Sequence, residues 1–365
     1  VLLIVAFGFT GNYFYNFALN PKVDKSAIVN QDSDGEKEDK TAVENWFEST
    51  KTEVTMESVT KNKLVGYKFV NPNAKKWIFV VHGYTSDAKK MAKYIKRFYD
   101  MGYSVFAPDL IAHGKSEGET ISMGGFDSDD LVNWVKKISA ENNNADTALF
   151  GISMGAATVM NAIGKDLPSN VKVFIEDSGY VNLKVEFTYQ LKKLFKLPSF
   201  PVIPAANTMT KIRGGYFFGD VNATEGLKNT KLPALVLHGE EDGFVPIEHG
   251  REAYELIGSE KEFHSFPGMK HVQAERKYRA ARSLREFAQS ENVSILQRLS
   301  REIQTRAREY IINTQERTRQ LRQRAERDRE YQNRIKSALR EWQERIFNSG
   351  ISQIRERLQS FAKQL

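Results

Sequence analysis

Ser153 sits at the centre of Gly151-Ile152-Ser153-Met154-Gly155, a spacing that supports chemistry an isolated serine cannot do. An apolar run (Ala148, Leu149, Phe150) leads in and small residues (Ala156, Ala157, Thr158) lead out, which predicts a strand, a sharp turn and a helix. Glycine two before and two after the serine removes the Cβ atoms that would collide where strand and helix fold back, leaving the hydroxyl raised. A serine hydroxyl is nearly unreactive at neutral pH, so attack on a carbonyl needs a neighbouring imidazole to take its proton. Of six histidines, His82 and His113 lie in loops before this turn, His238 ends a strand, His249 starts a helix and His264 lies inside the last strand. His271 alone follows that strand on a loop at the edge where Ser153 would be, and it is the candidate base. Asp242 is the candidate to orient the imidazole and stabilise its charged form. Its neighbours Glu240 and Glu241 are alternatives, and Asp177 is a less favoured one. Donors for the oxyanion would be backbone amides: Met154, just past the nucleophile at a helix start, and Tyr84, in the loop after His82-Gly83. Tyr84 could instead be a pocket wall, and His82 more plausibly braces its loop than does chemistry.

Strands and helices must alternate to hold these loops together. Antiparallel pairing is expected from about residue 54, with a strand over 64–69 and a continuous apolar run over 77–81, as in a buried central strand. Further strands are expected over 104–107, 171–176, 234–238 and 263–266, with helices over 89–101, 128–139 and 249–257. This alternation predicts an α/β fold, a mostly parallel sheet with helices on both faces. Residues 181–224 interrupt the alternation and are rich in Phe, Leu and Pro, which reads as a helical cap. Phe187, Leu191, Phe195, Phe217 and Phe218 would line it toward an apolar group; the same aromatics could equally bury the cap's own face.

Residues from about 54 to 273 resemble a serine hydrolase of the α/β-hydrolase fold, in particular bacterial membrane-anchored esterases and lysophospholipases. The resemblance is carried by His82-Gly83, Asp109 with His113-Gly114-Lys115-Ser116, Gly151 to Gly155, Gly239-Glu240-Glu241-Asp242 with Val245-Pro246, and Gly268-Met269-Lys270-His271. It aligns Asp242 as the acid, in the chain order Ser153, Asp242, His271. It implies cleavage of carboxylic esters, lysolipids among them, through an acyl-serine and without cofactor or metal. Peptidase and thioesterase activity occur on the same fold.

Composition divides the chain. The net charge of +7 over 365 residues is uneven: residues 1–273 carry 31 Lys+Arg against 34 Asp+Glu, net −3, and residues 274–365 carry 22 against 12, net +10. The first part holds 28 Lys and 3 Arg, the second 3 Lys and 19 Arg. The absence of Cys excludes disulfides, thiol catalysis and Cys-bound zinc. Residues 1–19 carry no charge and end in aromatics suited to a lipid headgroup level, so they predict a signal-anchor with the catalytic body outside the cytoplasm, a cleaved signal peptide and a buried core helix being the alternatives. A polar spacer with a short helix start follows over 20–53, then the hydrolase domain over 54–289. The segment 273–288 could serve as its last helix, and 290–365 reads as a long-helix or coiled-coil tail, with Leu296, Leu299, Ile303, Ala307 and Tyr310 at helical steps. Its arginines alternate with Glu and Gln, as on a solvated helical face, which favours self-association or packing, or a fortuitous fusion, over nucleic-acid binding. From another class, the rival reading is a helical assembly module carrying an inactive hydrolase scaffold.

Overall fold

The computed structural model describes residues 2–25 and 40–272, with Ile28 and Ser337 besides. The chain divides into two units, Val1–Ile303 and Gln304–Leu365. The helix expected over 273–288 and the tail over 290–365 lie outside the described residues.

Eight strands form one sheet: β1 (Thr52–Glu57), β2 (Lys63–Phe69), β3 (Trp77–Val81), β4 (Ser104–Pro108), β5 (Thr147–Ile152), β6 (Val171–Asp177), β7 (Ala234–Gly239) and β8 (Lys261–Phe266). Their order is β1-β2-β4-β3-β5-β6-β7-β8. β2 pairs antiparallel with β1 and β4, and every pairing from β4 to β8 is parallel. All five residues of β3 are buried, because a parallel strand covered on both faces must be apolar throughout.

The covering helices anchor through aromatic contacts. On one face, Phe150 of β5 meets Tyr94 and Phe98 of α3 (Ala92–Asp100), at 5.8 and 5.4 Å between ring centroids. On the other, Phe106 of β4 meets Trp134 of α4 (Phe126–Glu141) at 4.9 Å. The spacer expected over 20–53 is shorter than that. Residues 40–50 form α2 (Lys40–Thr50), whose Trp46 stacks on Phe69 and whose Phe47 meets Tyr67 and Phe69, and β1 begins at Thr52. The acidic and basic residues of this stretch masked two aromatics that bury against β2.

The cap consists of α6 (Leu183–Phe195), α7 (Ser199–Gly214) and a short 3-10 turn, Phe218–Asp220. Asn182 starts α6 by accepting from the amides of Lys184 and Val185, satisfying donors that a helix start leaves open. A single bridge between Asn182 and Asn222 closes the cap at its base. Beside it lies α1 (Leu2–Leu19), the one helix among the described residues long and apolar enough to cross a membrane. Its two ends differ. Leu2, Leu3 and Ile4 are exposed, whereas Gly11, Tyr15 and Leu19, spaced four apart and so on one helix face, are buried against the body.

Candidate active site

The turn from β5 into α5 (Met154–Ala162) places Ser153 at φ 56° and ψ −119°, a backbone conformation side chains rarely adopt. The glycines on either side make it possible: a Cβ on Gly155 would overlap the Val81 carbonyl of β3, and one on Gly151 would overlap the Gly155 carbonyl. Asp242 lies on the loop after β7 and His271 on the loop after β8, so all three residues meet at the carboxyl ends of parallel strands. His271 Nε2 is 2.9 Å from Ser153 Oγ, and its Nδ1 is 2.7 Å from Asp242 Oδ2. The other carboxylate oxygen of Asp242 accepts from the amides of Phe244 and Val245, both at 2.8 Å, which fixes the carboxylate plane. With Nδ1–H donated to a carboxylate, Nε2 is left to accept from the serine hydroxyl. Burial opposes charge on His271, but the Asp242 carboxylate and its hydrogen bond, with Asp177 and Glu186 further off, outweigh it and raise the pKa.

The remaining candidates separate clearly. Glu240 accepts from Ser265 on the surface and is not on the imidazole. Asp177 is buried and accepts from Ser178, and burial pushes its pKa up to about 7; it faces His271 only at a distance. His82 donates to the Gly83 carbonyl and accepts from Leu110 N, and burial with the neighbouring His113 lowers its pKa to about 3, so it is a neutral brace. Asp109 binds the amides of Ala88 and Lys115 and the Tyr67 hydroxyl, tying the loops after β3 and β4 together. His238, His249 and His264 are buried, and His238 donates to the Val245 carbonyl behind Asp242.

Above Ser153 a pocket encloses about 810 Å³, part of it open to solvent. Phe187, Leu191, Phe195 and Phe218 of the cap line it as expected. Phe217 does not: extended just before the turn at 218–220, it is 41% exposed with the Lys211 ammonium over its ring, while Phe218 is buried. Tyr84 is a wall of the pocket as well as the residue whose amide was singled out. The lining also includes Phe14, Phe17, Ala18 and Leu19 of α1, which sequence reasoning assigned to the lipid headgroup level. Their recurrence at steps of three and four beside the buried 11-15-19 stripe was the available signal.

Strand order, elbow and strand-end loops together define the class: this chain is an α/β-hydrolase by fold. The family described as serine aminopeptidase, S33, matches residues 72–213. The chain is 26% identical over 256 residues to the Bacillus subtilis protein YqkD, covering 70% of this chain and 82% of that one. To the mouse lysophosphatidylserine lipase ABHD12 it is 24% identical over 174 residues, 46% of this chain and 41% of the lipase, so it spans less than half of that relative. Among solved structures it is similar to the Pyrococcus furiosus esterase Pf2001, with a TM-score of 0.55 and 22% identity over 74% of this chain and 96% of the esterase.

Proposed function

We propose that this protein is a serine hydrolase that cleaves carboxylic esters of apolar acyl groups, lysolipids among them. The observation that carries the reading is the hydrogen-bonded series Ser153, His271, Asp242 at the floor of an apolar pocket. Ser153 Oγ attacks the ester carbonyl while its proton passes to His271 Nε2, and the C=O pair becomes an oxyanion facing the amides of Met154 and Tyr84. Collapse of the intermediate breaks the acyl C–O bond, and His271 returns its proton to the departing alcohol. Water repeats the sequence in reverse roles, releasing the carboxylic acid and regenerating the serine. Asp242 keeps Nδ1 protonated throughout and stabilises the imidazolium. The apolar lining favours an ester over a peptide, and the name of the lysophosphatidylserine lipase among its relatives points the same way.

Membrane attachment is part of the same proposal. The N-terminal half of α1 exposes Leu2, Leu3, Ile4 and Phe9, a surface suited to lipid, with the body on the outer side of the cytoplasmic membrane. A fluorophosphonate probe tests the chemistry: the wild-type protein should be labelled at Ser153 and Ser153→Ala should not. Absence of wild-type labelling, or labelling that survives the substitution, overturns it.

A further inference from the structure

A helix serving only as an anchor has no need to touch the reacting centre, yet α1 is fastened to it at several points. Gly11 crosses α7 so closely that a Cβ there would overlap the Ala205 carbonyl. The Tyr84 hydroxyl donates to the Ala18 carbonyl at 2.6 Å. The Lys25 ammonium takes the Asn16 and Phe17 carbonyls at 3.0 and 2.7 Å, and the Ile121 amide takes that of Leu19 at 2.9 Å. Tyr84 and Ile121 come from body loops and Lys25 from the chain just past the helix, and together they satisfy the carbonyls that a helix end leaves open. The last turns of α1 are therefore seated on the body in one register. In that register Phe14 and Phe17 each meet Phe195 of the cap edge-on at 5.0 Å, and all three rings line the pocket above Ser153.

We propose that α1 is the acyl-chain wall of this pocket, with Phe14 and Phe17 setting the length of chain accepted at Ser153. The inference rests on the hydrolase reading and names its substrate-selecting element. The three-ring cluster limits the space available to an acyl tail between α1 and the cap. Burial of successive methylenes against these rings supplies the discrimination, and a methylene in an apolar pocket changes selectivity by about 10-fold or more. The seating also reaches the chemistry, because Tyr84 joins the carbonyl of Ala18 to the loop whose amide faces the oxyanion. One helix thus places the acyl chain and steadies the oxyanion loop together.

The test uses the full chain in detergent and p-nitrophenyl esters from acetate to palmitate. Phe17→Ala and Phe14→Ala should move the preferred chain length upward. Phe17→Trp should lower kcat/KM on long esters by about tenfold relative to acetate. Phe17→Leu is the milder variant should the larger changes unfold the protein, and it should shift the profile in the same direction as Phe17→Ala. Leu3→Ser, on the exposed end of the same helix, should leave the profile as it is. An unchanged profile in the Phe17 variants, with fluorophosphonate labelling intact, overturns the proposal and leaves the hydrolase reading standing. So does a Leu3→Ser shift as large as theirs, since the effect would then come from the membrane-facing end. Failure of the wild-type protein to label sinks the hydrolase reading itself.

Discussion

The floor and the roof of the pocket are built on opposite principles. On the floor, Asp242 uses both carboxylate oxygens, His271 both nitrogens, and Ser153 is set by a glycine-flanked turn, so each polar group has a partner at a defined angle. The roof is made by α1, α6 and α7 and is almost wholly apolar; Glu186 and Gln190 bond to one another within it. Hydrogen bonds weaken steeply as they bend, whereas apolar burial has no direction. A floor of this kind tolerates almost no change, and a roof of this kind can be reshaped while the chemistry beneath continues.

Substitutions at the two levels should therefore separate in size and in kind. The largest effect is expected at Asp242→Asn, which keeps the shape but favours the wrong imidazole tautomer: kcat should fall by about 10⁴-fold, a magnitude taken from the same change in a chymotrypsin-type triad. A loss below about tenfold would transfer the orienting role to Asp177 and dissolve the contrast. Roof changes at Phe14 and Phe17 come next, altering ratios between esters and sparing acetate. Smallest is the shift of a pH midpoint. His271 accepts a proton only when neutral, and Asp242 raises its pKa, so ester turnover should rise with pH through a midpoint above the ordinary histidine value of about 6.5. In Asp242→Asn the carboxylate's contribution is gone and burial still opposes the charge, so the midpoint of the residual activity should fall. A midpoint that does not move would mean another group titrates.

This contrast also explains what the sequence disclosed. The floor was legible because each part is local: Gly-x-Ser-x-Gly turns a strand into a helix within five residues, and Asp242 and His271 each lie a few residues past an expected strand. The parallel, doubly covered character of the central strands was legible for the same reason, since runs such as 77–81 are apolar without alternation. The roof was half legible. The Phe-rich stretch 181–224 announced a cap, but which ring faces inward depends on helix phase, and Phe217 shows the consequence. The α1 wall was missed because membrane insertion and burial against a cap select the same apolar residues. The 11-15-19 stripe hints at the second use, and the position of Gly11 opposite Ala205, a tertiary fact, establishes it. Trp46 and Phe47 were overlooked because the charged residues around them masked the buried pair.

The backbone of Ser153 has a thermal consequence. Holding a non-glycine residue at φ 56° costs about 1–3 kcal/mol, a large share of the roughly 5–15 kcal/mol that keeps a protein folded. Ser153→Ala removes the hydroxyl and retains the strain. Ser153→Gly removes both, against about 0.4–1 kcal/mol of added freedom in the unfolded chain. Both variants should be inactive, yet the glycine form should melt about 2–4 °C above the alanine form in differential scanning calorimetry; the reverse order would show that no strain is held there. On the proposed reading, the turn that raises Ser153 sets heat resistance and reactivity against each other at one residue.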